Sequence, residues 1–266
     1  MVGELVIGAT ACALLTQPRF VGGILAVVTG AVYLLSEDCE ILWLAQNDLP
    51  MHPRALRGDF DFSALRAGMA FQSDGARLQF GVGAQFIAPL QNVRVWQPAA
   101  IDPSRVVSRE RMRAPARASD LTGFGKHVRS LNDARALIGL GEGLTPAGDD
   151  FVGGWLFAAY HLRAAYPSTS LRVSPGAFRW DQRAVDDLLK YARSRTNVIS
   201  NTLLCDHARG QSNEPMHDWL AALLHGASSR EIETHARALC AVGSTTGKNL
   251  LAGAATAILS LADRRK

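Results

Sequence analysis

The chain has 266 residues, of which 48% are hydrophobic and 20% are charged, and its formal net charge is +4. These values are typical of globular proteins and exclude fibrous and low-complexity chains. A chain of this length accommodates one large domain or two modest ones.

The first hundred residues change from a helical pattern to a strand pattern. Residues 3–16 predict a short helix that ends before Pro18. Short apolar runs then indicate strands, at 27–28, 31–35, 40–44, 70–72, 76–80 and 93–96. Residues 36–38 and 73–75 are polar and predict hairpin turns. We therefore expect a β-rich module, a small barrel or a sandwich, over residues 1–115.

Residues 20–35 carry no charge but are too short for a membrane span, which needs about twenty apolar residues. Glu4 stands where a signal peptide would be positively charged, so no export signal is expected. The cysteines are scattered without a C-x-x-C pair, which disfavours a zinc site or a disulfide framework; they are Cys12, Cys39, Cys205 and Cys240. We expect a cytoplasmic protein without a membrane partner.

Residues 98–121 are rich in Pro, Arg, Ser and Ala and have little periodicity, which predicts a linker at a domain boundary. Much of the positive charge lies here, at Arg105, Arg109, Arg111, Arg113 and Arg117. No aromatic residues alternate with these arginines to stack on bases, so a solvated linker is favoured over a nucleic-acid surface.

The second half of the chain has helical spacing. Apolar residues recur every three or four positions over residues 181–194 and again from Trp219 to Leu224. The pattern predicts a helical domain over residues 120–266 with six or seven helices. The predicted fold class is therefore α+β, with the β-rich module first and the helical bundle second.

Residues 139–150 read GLGEGLTPAGDD and form the densest group of signals in the chain. Glycines at alternate positions allow sharp turns and close approach of a ligand to the backbone. A Rossmann loop needs the spacing G-x-G-x-x-G after a strand, whereas residues 131–138 read as helical. A dinucleotide site is therefore disfavoured.

Thr145 and Pro146 predict a helix start, with Thr145 as the capping side chain. Asp149 and Asp150 then fall in the first turn of that helix. They either complement the helix dipole or hold a ligand, directly or through a metal-bound water. The combination of glycines, cap and two acids favours a small-molecule site.

Residues 243–249 read GSTTGKN and resemble a phosphate-binding P-loop. The segment is one residue too short, and Asn249 replaces the hydroxyl that would bind magnesium, so ATP hydrolysis by a P-loop mechanism is disfavoured. Ser244, Thr245 and Thr246 precede a predicted helix. Their hydroxyls and the free amides of that helix start form either an anion site or a simple helix cap.

Two further polar groups fall on the next predicted helices. Thr196 and Ser200 are four residues apart and share a helix face. Asp206 and His207 are adjacent and point to different faces, so we expect a surface or interface role for them rather than an acid–base pair.

The sequence resembles a bacterial family that includes the third subunit of oxamate carbamoyltransferase, the AllH-like family. The segments that carry the resemblance are residues 139–150, residues 243–247 and LLAG at 250–253. The resemblance is looser at residues 195–200 and in the β-rich half. It implies a transferase subunit that acts with an FdrA-like protein and a further subunit in allantoin and purine nitrogen breakdown. The implied reaction exchanges a carbamoyl group between carbamoyl phosphate and oxamate, through oxalurate.

The resemblance also suggests roles for individual residues. We expect the glycines and hydroxyls to contact the ligand, the two aspartates to orient an amide or a Mg²⁺-bound water, and the start of the last helix to hold an anion. The residues assigned to catalysis are Asp149, Asp150 and Thr145, and those assigned to substrate binding are Gly139, Gly141, Gly143, Thr196, Ser200, Ser244, Thr245, Thr246 and Gly247.

The sequence departs from the family pattern at Ala147, Ser244, Lys248 and Asn249. Two other functions therefore stay open. One is a non-catalytic scaffold or regulatory subunit of an FdrA-like complex, and the other is a diverged paralogue that acts on another small carboxylate or amide.

Overall fold

The computed structural model describes residues 4–81, 83, 86–102, 107, 111, 113–126, 128, 131–163 and 180–262. The chain divides into two compact units, Met1–Pro98 and Ala99–Lys266. The first contains a sheet and the second contains helices, which confirms the predicted α+β class. The predicted domain limits, 1–115 and 120–266, stay a prediction.

The first unit is a single curled sheet, a half-barrel, with one helix. Its elements are β1 Val6–Gly8, α1 Ala9–Leu15, β2 Phe20–Val28, β3 Ala31–Ser36, β4 Ile41–Ala45, β5 Ala55–Arg57, β6 Ala70–Ser73, β7 Arg77–Phe80, β8 Phe86–Pro89 and β9 Arg94–Trp96. The strand order in the described residues is β8-β7-β6-β2-β3-β4-β5-β1-β9. Both predicted hairpin turns are confirmed, between β3 and β4 and between β6 and β7.

The predicted helix over residues 3–16 is wrong in its first half. Val6 and Ile7 form β1, which pairs with β5 on one side and β9 on the other, and the helix begins only at Ala9. The pairing of distant strands overrides the local pattern here. Ala11 and Leu15 of α1 are fully buried in the apolar core of this unit.

The second unit is helical. Its elements are α2 Arg113–Ser119, a 3₁₀ turn Phe124–Lys126, α3 Leu131–Arg135, α4 Ala147–Leu162, α5 Gln182–Ala192, α6 Val198–His207, α7 Glu214–His225, α8 Ser229–Cys240 and α9 Thr246–Ala262. In the described part of this unit there are eight α-helices, so the predicted six or seven were too few. Of the helices described in either unit, none has both the length and the hydropathy to cross a bilayer.

Two local expectations in this unit are also corrected. The stretch 98–121 was predicted as a linker, but Arg113–Ser119 is helical because Pro115 and Ala118 are buried against the other helices. Arg105 and Arg109 lie outside the described residues. The segment 131–138 is helical only as far as Arg135 and continues as a turn.

Helices α4 and α9 form the centre of the helical unit, and their backbones touch. A Cβ atom on Gly154 would lie 1.9 Å from the carbonyl oxygen of Leu250, and one on Gly253 would lie 1.9 Å from that of Phe151. Neither position has room for a side chain. The close crossing therefore depends on one glycine from each helix, and it brings the starts of the two helices near each other.

We predict that Gly253→Ala lowers the free energy of unfolding of the helical unit by about 1–3 kcal/mol, because an added methyl group there overpacks the crossing. Urea unfolding followed by far-UV circular dichroism measures the change. Gly23→Ala is the matched control, since its Cβ would lie 3.9 Å from the nearest atom outside its chain neighbours, the carbonyl oxygen of Met69. Equal stability of Gly253→Ala and the parent chain would contradict the prediction.

Candidate functional site

The loop before α4 requires its three glycines. Gly139, Gly141 and Gly143 have φ angles of +78°, +118° and +93°, which side-chain-bearing residues rarely adopt. A Cβ on Gly139 would lie 2.3 Å from the carbonyl oxygen of Arg195, and one on Gly141 would lie 2.7 Å from the nitrogen of Ala147. Within the described part of the chain, no atom outside its chain neighbours lies within 4 Å of the Cβ position of Gly143. Of the three glycines, only Gly143 leaves open space for a ligand on the side where a Cβ atom would lie.

Thr145 does not cap α4, so that expectation was wrong. The helix begins at Ala147, Pro146 is the residue before it, and no side chain among the described residues caps this end. The hydroxyl of Thr145 is one position too early and is instead 2.9 Å from the hydroxyl of Thr246, the first residue of α9. Thr145 therefore joins the starts of two helices.

Asp149 lies in the first turn of α4, as predicted, and is 2% exposed. Its Oδ1 accepts a hydrogen bond of 2.7 Å from the backbone amide of Gly139. Its Oδ2 accepts one of 2.7 Å from the hydroxyl of Ser200 and another from the hydroxyl of Thr196. Both carboxylate oxygens are thus engaged, and Asp149 ties the glycine loop and α4 to the start of α6.

Asp150 is also buried but has a different environment. Its Oδ2 is buried and makes no hydrogen bond within the described part of the chain. Burial raises the pKa of Asp150 from its ordinary value of 3.8 to about 8, against the opposing effect of the hydroxyls of Thr246 and Thr145, and the charge of Asp149 adds to the rise. At neutral pH the carboxyl of Asp150 is mostly protonated, so it can donate a hydrogen bond.

The start of α9 presents hydroxyls at the surface. Ser244 and Thr245 are exposed and Thr246 is half-buried. Asn249 is buried, and its Nδ2 donates a hydrogen bond of 3.0 Å to the carbonyl oxygen of Thr245. A Cβ on Gly247 would lie 1.7 Å from the carbonyl oxygen of Leu239, so this glycine is required by helix packing.

Asn197 was missed by the sequence reasoning. Its side-chain oxygen accepts a hydrogen bond of 3.0 Å from the amide of Ser200 and so caps α6. Its Nδ2 donates one of 2.9 Å to the carbonyl oxygen of Leu144. An asparagine just before an apolar run is a recognised helix-start signal and could have revealed this role.

The predicted residues therefore come together where α4, α6 and α9 begin. The contacts described above join six of the predicted residues: Thr145, Asp149, Asp150, Thr196, Ser200 and Thr246. Two more, Ser244 and Thr245, are exposed in the turn that precedes Thr246. Helix N-termini carry partial positive charge and attract anions. The arrangement can hold a small anion beside a neutral carboxyl group and two hydroxyls.

A magnesium ion between the two aspartates stays a prediction. Among the described residues no group of three or more His, Cys, Asp and Glu side chains could hold a metal ion. Asp149 already accepts hydrogen bonds on both oxygens, and the raised pKa of Asp150 favours a proton there. The arrangement of Asp149 and Asp150 therefore suits hydrogen bonds and a bound proton better than a magnesium ion, because hard cations prefer charged oxygen ligands.

A surface or interface role was expected for Asp206 and His207. Each is only 5% exposed, so neither side chain lies at the surface of the chain, and an interface role stays a prediction. The His207 ring packs on α4, since a Cβ on Gly153 would lie 2.5 Å from its Nδ1. Its Nε2 is 3.2 Å from the hydroxyl of Ser212, which is also buried. The contact of the His207 ring with α4 accounts for the burial of His207.

Comparison with known families identifies the segment that carries this site. Residues 137–258 match the family model of the oxamate carbamoyltransferase subunit AllH. The resemblance inferred from the sequence is thereby confirmed for this segment, which contains every candidate site residue. The chain matches no curated protein and no solved structure.

In the segment that matches the family model, we predict that Asp149→Ala lowers the free energy of unfolding by about 2–4 kcal/mol, because it leaves the amide of Gly139 and the hydroxyls of Thr196 and Ser200 without their acceptor. Urea unfolding measures the change. Glu142→Ala removes an exposed acid from the same loop and should stay within about 0.5 kcal/mol of the parent chain. Similar effects of the two substitutions would contradict the assignment.

The raised pKa of Asp150 predicts a stability that depends on pH. Between pH 4 and pH 8 the folded chain keeps the proton on Asp150 that the unfolded chain releases, so stability is full at low pH and falls as pH rises towards 8. We expect Asp150→Asn to remove roughly 2–4 kcal/mol of this decline between pH 5 and pH 8, since one pKa unit is worth about 1.4 kcal/mol and water entry reduces the full difference.

Urea unfolding at a series of pH values tests this expectation. Asp120→Asn changes an exposed aspartate of the same unit and serves as the control. If Asp150→Asn and the control have the same pH dependence as the parent chain, Asp150 does not hold a proton in the folded state.

Proposed function

We propose that this chain is the AllH-type subunit of a carbamoyltransferase resembling oxamate carbamoyltransferase, and that the starts of α4 and α9 bind its carbamoyl substrate. One observation carries the proposal. Within the matched segment, the buried carboxyl of Asp150, whose pKa is about 8, lies beside the hydroxyls of Thr145 and Thr246 at two adjoining helix starts. Such a site offers both an anion cradle and hydrogen-bond donors for a carbonyl group.

The reaction converts carbamoyl phosphate and oxamate into oxalurate and phosphate. A bond forms between the amide nitrogen of oxamate and the carbamoyl carbon, and the bond from that carbon to the phosphate oxygen breaks. The proton lost from the nitrogen is taken up by the departing phosphate, so the atoms and charges balance. The protein must hold the phosphate, polarise the carbonyl and position the nitrogen.

The phosphate is assigned to the start of α9 and the open side of Gly143. Ser244 and Thr245 are exposed hydroxyl donors at that helix start. The lack of atoms near the Cβ position of Gly143 leaves space for an oxyanion to approach the loop. Helix dipole, hydroxyls and close backbone approach are the usual elements of phosphate binding in proteins.

The carbamoyl carbonyl is assigned to Asp150. A neutral carboxyl donates a hydrogen bond without the repulsion that a carboxylate would exert on an anionic substrate. Donors directed at the oxygen that gains charge typically accelerate such reactions by about 10²–10³ each. The hydroxyls of Thr145 and Thr246 flank Asp150 and would orient it.

Asp149, Thr196 and Ser200 act as positioning residues in this proposal. Asp149 has its two oxygens engaged by three protein donors and therefore has little capacity left for a substrate. Its contacts set the position of the glycine loop relative to α6. The catalytic role expected for Asp149 and the substrate contacts expected for Thr196 and Ser200 become indirect roles.

A scaffold function is the second candidate, and one observation favours it. Leu140 is 49% exposed and Val198 is 36% exposed, and both lie next to the site, in the glycine loop and at the start of α6. Exposed large apolar side chains are typical of protein interfaces. An FdrA-like protein and a further subunit are the partners that we propose for this surface, in the same complex.

Calorimetry with the purified chain separates the two candidates. Phosphonoacetamide, a hydrolysis-resistant analogue of carbamoyl phosphate, is the titrant. We predict measurable binding that Thr245→Ala weakens at least tenfold, since Thr245 is assigned to the phosphate and the loss of a hydrogen bond to a charged group costs about 1.5–3 kcal/mol. Thr234→Ala removes an exposed hydroxyl of α8 that bonds the carbonyl oxygen of Arg230, and should leave the affinity unchanged.

Binding that is equally strong in both threonine variants would contradict the assigned site. A chain that binds no analogue but still assembles with partner subunits would support the scaffold. In the assembled complex, Asp150→Asn should keep more turnover than Asp150→Ala, because an amide can still donate a hydrogen bond and an alanine cannot.

A further inference from the structure

A second concave site lies in the helical unit, away from the residues assigned above. It is a pocket of about 540 Å³ between α2, α7, α8 and α9. Its apolar lining includes Leu121, which is 50% exposed, the half-buried Ala114 and Ala236, and the buried Trp219, Ile232 and Leu251. None of the residues assigned to the carbamoyl site lines it.

The rim of this pocket is strongly basic. Among the described residues, four arginines and one acid, Glu233, line the rim, which gives these five side chains a net charge of +3; the arginines are Arg111, Arg113, Arg117 and Arg237. Glu233 is 3.8 Å from Arg117, but both side chains are well exposed, so this pair contributes little. In the described part of the chain, Arg111 and Arg113 make no ion pair with an acidic side chain.

From this geometry we infer that the pocket is a binding site for a small amphipathic anion, whose apolar body lies on the Trp219 side and whose phosphate or carboxylate meets the arginines. Guanidinium groups pair with both kinds of anion through two parallel hydrogen bonds. The pocket volume is in the range of small-molecule sites, about 300–1,000 Å³. A stable protein partner would need about 800 Å² of surface on each side, far more than this concavity offers.

The pocket also gives a reason for part of the arginine-rich stretch that the sequence suggested was a solvated linker. Arg113 and Arg117 are on α2, whose buried residue Ala118 and half-buried residue Ala114 line the same pocket. Arg237 approaches from α8, a distant part of the sequence. Two separate helices therefore bring like charges together around an apolar surface, and an anion bound there would offset their repulsion.

The test uses the full chain and 1-naphthyl phosphate, which joins an apolar ring system to a phosphate group. Fluorescence titration should show saturable binding. Inorganic phosphate, which lacks the ring, and 1-naphthol, which lacks the charge, should each bind at least tenfold more weakly. Arg113→Glu and Arg237→Glu should each weaken 1-naphthyl phosphate binding at least tenfold.

Arg230→Glu is the matched control, because Arg230 is exposed on α8 and does not line the pocket. It should change the affinity less than twofold, and thermal unfolding of every variant checks that it is folded. No binding at millimolar probe, equal binding of 1-naphthol, or unchanged affinity in both arginine variants would overturn the inference. Competition by phosphonoacetamide would also overturn it, because the probe would then occupy the other site.

Discussion

The contact between the backbones of α4 and α9 is the constraint on which the candidate site depends. Gly154 and Gly253 each leave no space for a side chain, so the two helices cross at a distance that other residues would not allow. This crossing brings the start of α9 to the start of α4, where Thr246 meets Thr145. It also places Asp150 in the buried junction, and that burial is the main cause of its raised pKa.

Two adjacent aspartates thus have different hydrogen-bonding environments within one helical turn. Asp149 is satisfied by three donors from the loop and from α6, whereas Asp150 has a buried oxygen that no described group satisfies. A buried environment of this kind can keep one of two neighbouring carboxyl groups protonated at neutral pH. Here the glycine loop and α6 form the environment of Asp149, and the start of α9 forms that of Asp150.

Local patterns predicted much of this fold, and distant contacts account for the remainder. Alternating strands and polar turns were predictable because each depends on a few neighbouring residues. The strand at Val6 was not, since it depends on partners near Leu56 and Val95. The glycine loop and the helix start were found, but Thr145 was assigned to the cap because a one-residue shift of a helix start is invisible in sequence. The link from Asp149 to Ser200 spans 51 residues and has no local signal.

The close packing of Gly247 against Leu239 has a consequence for communication within the helical unit. Because the start of α9 rests directly on the carbonyl of α8, a displacement of α8 cannot be absorbed by side-chain movement there. Helix α8 also forms one wall of the arginine-rimmed pocket. If ligands bind both at the proposed pocket and at the helix starts, any coupling between the two sites must act equally in both directions.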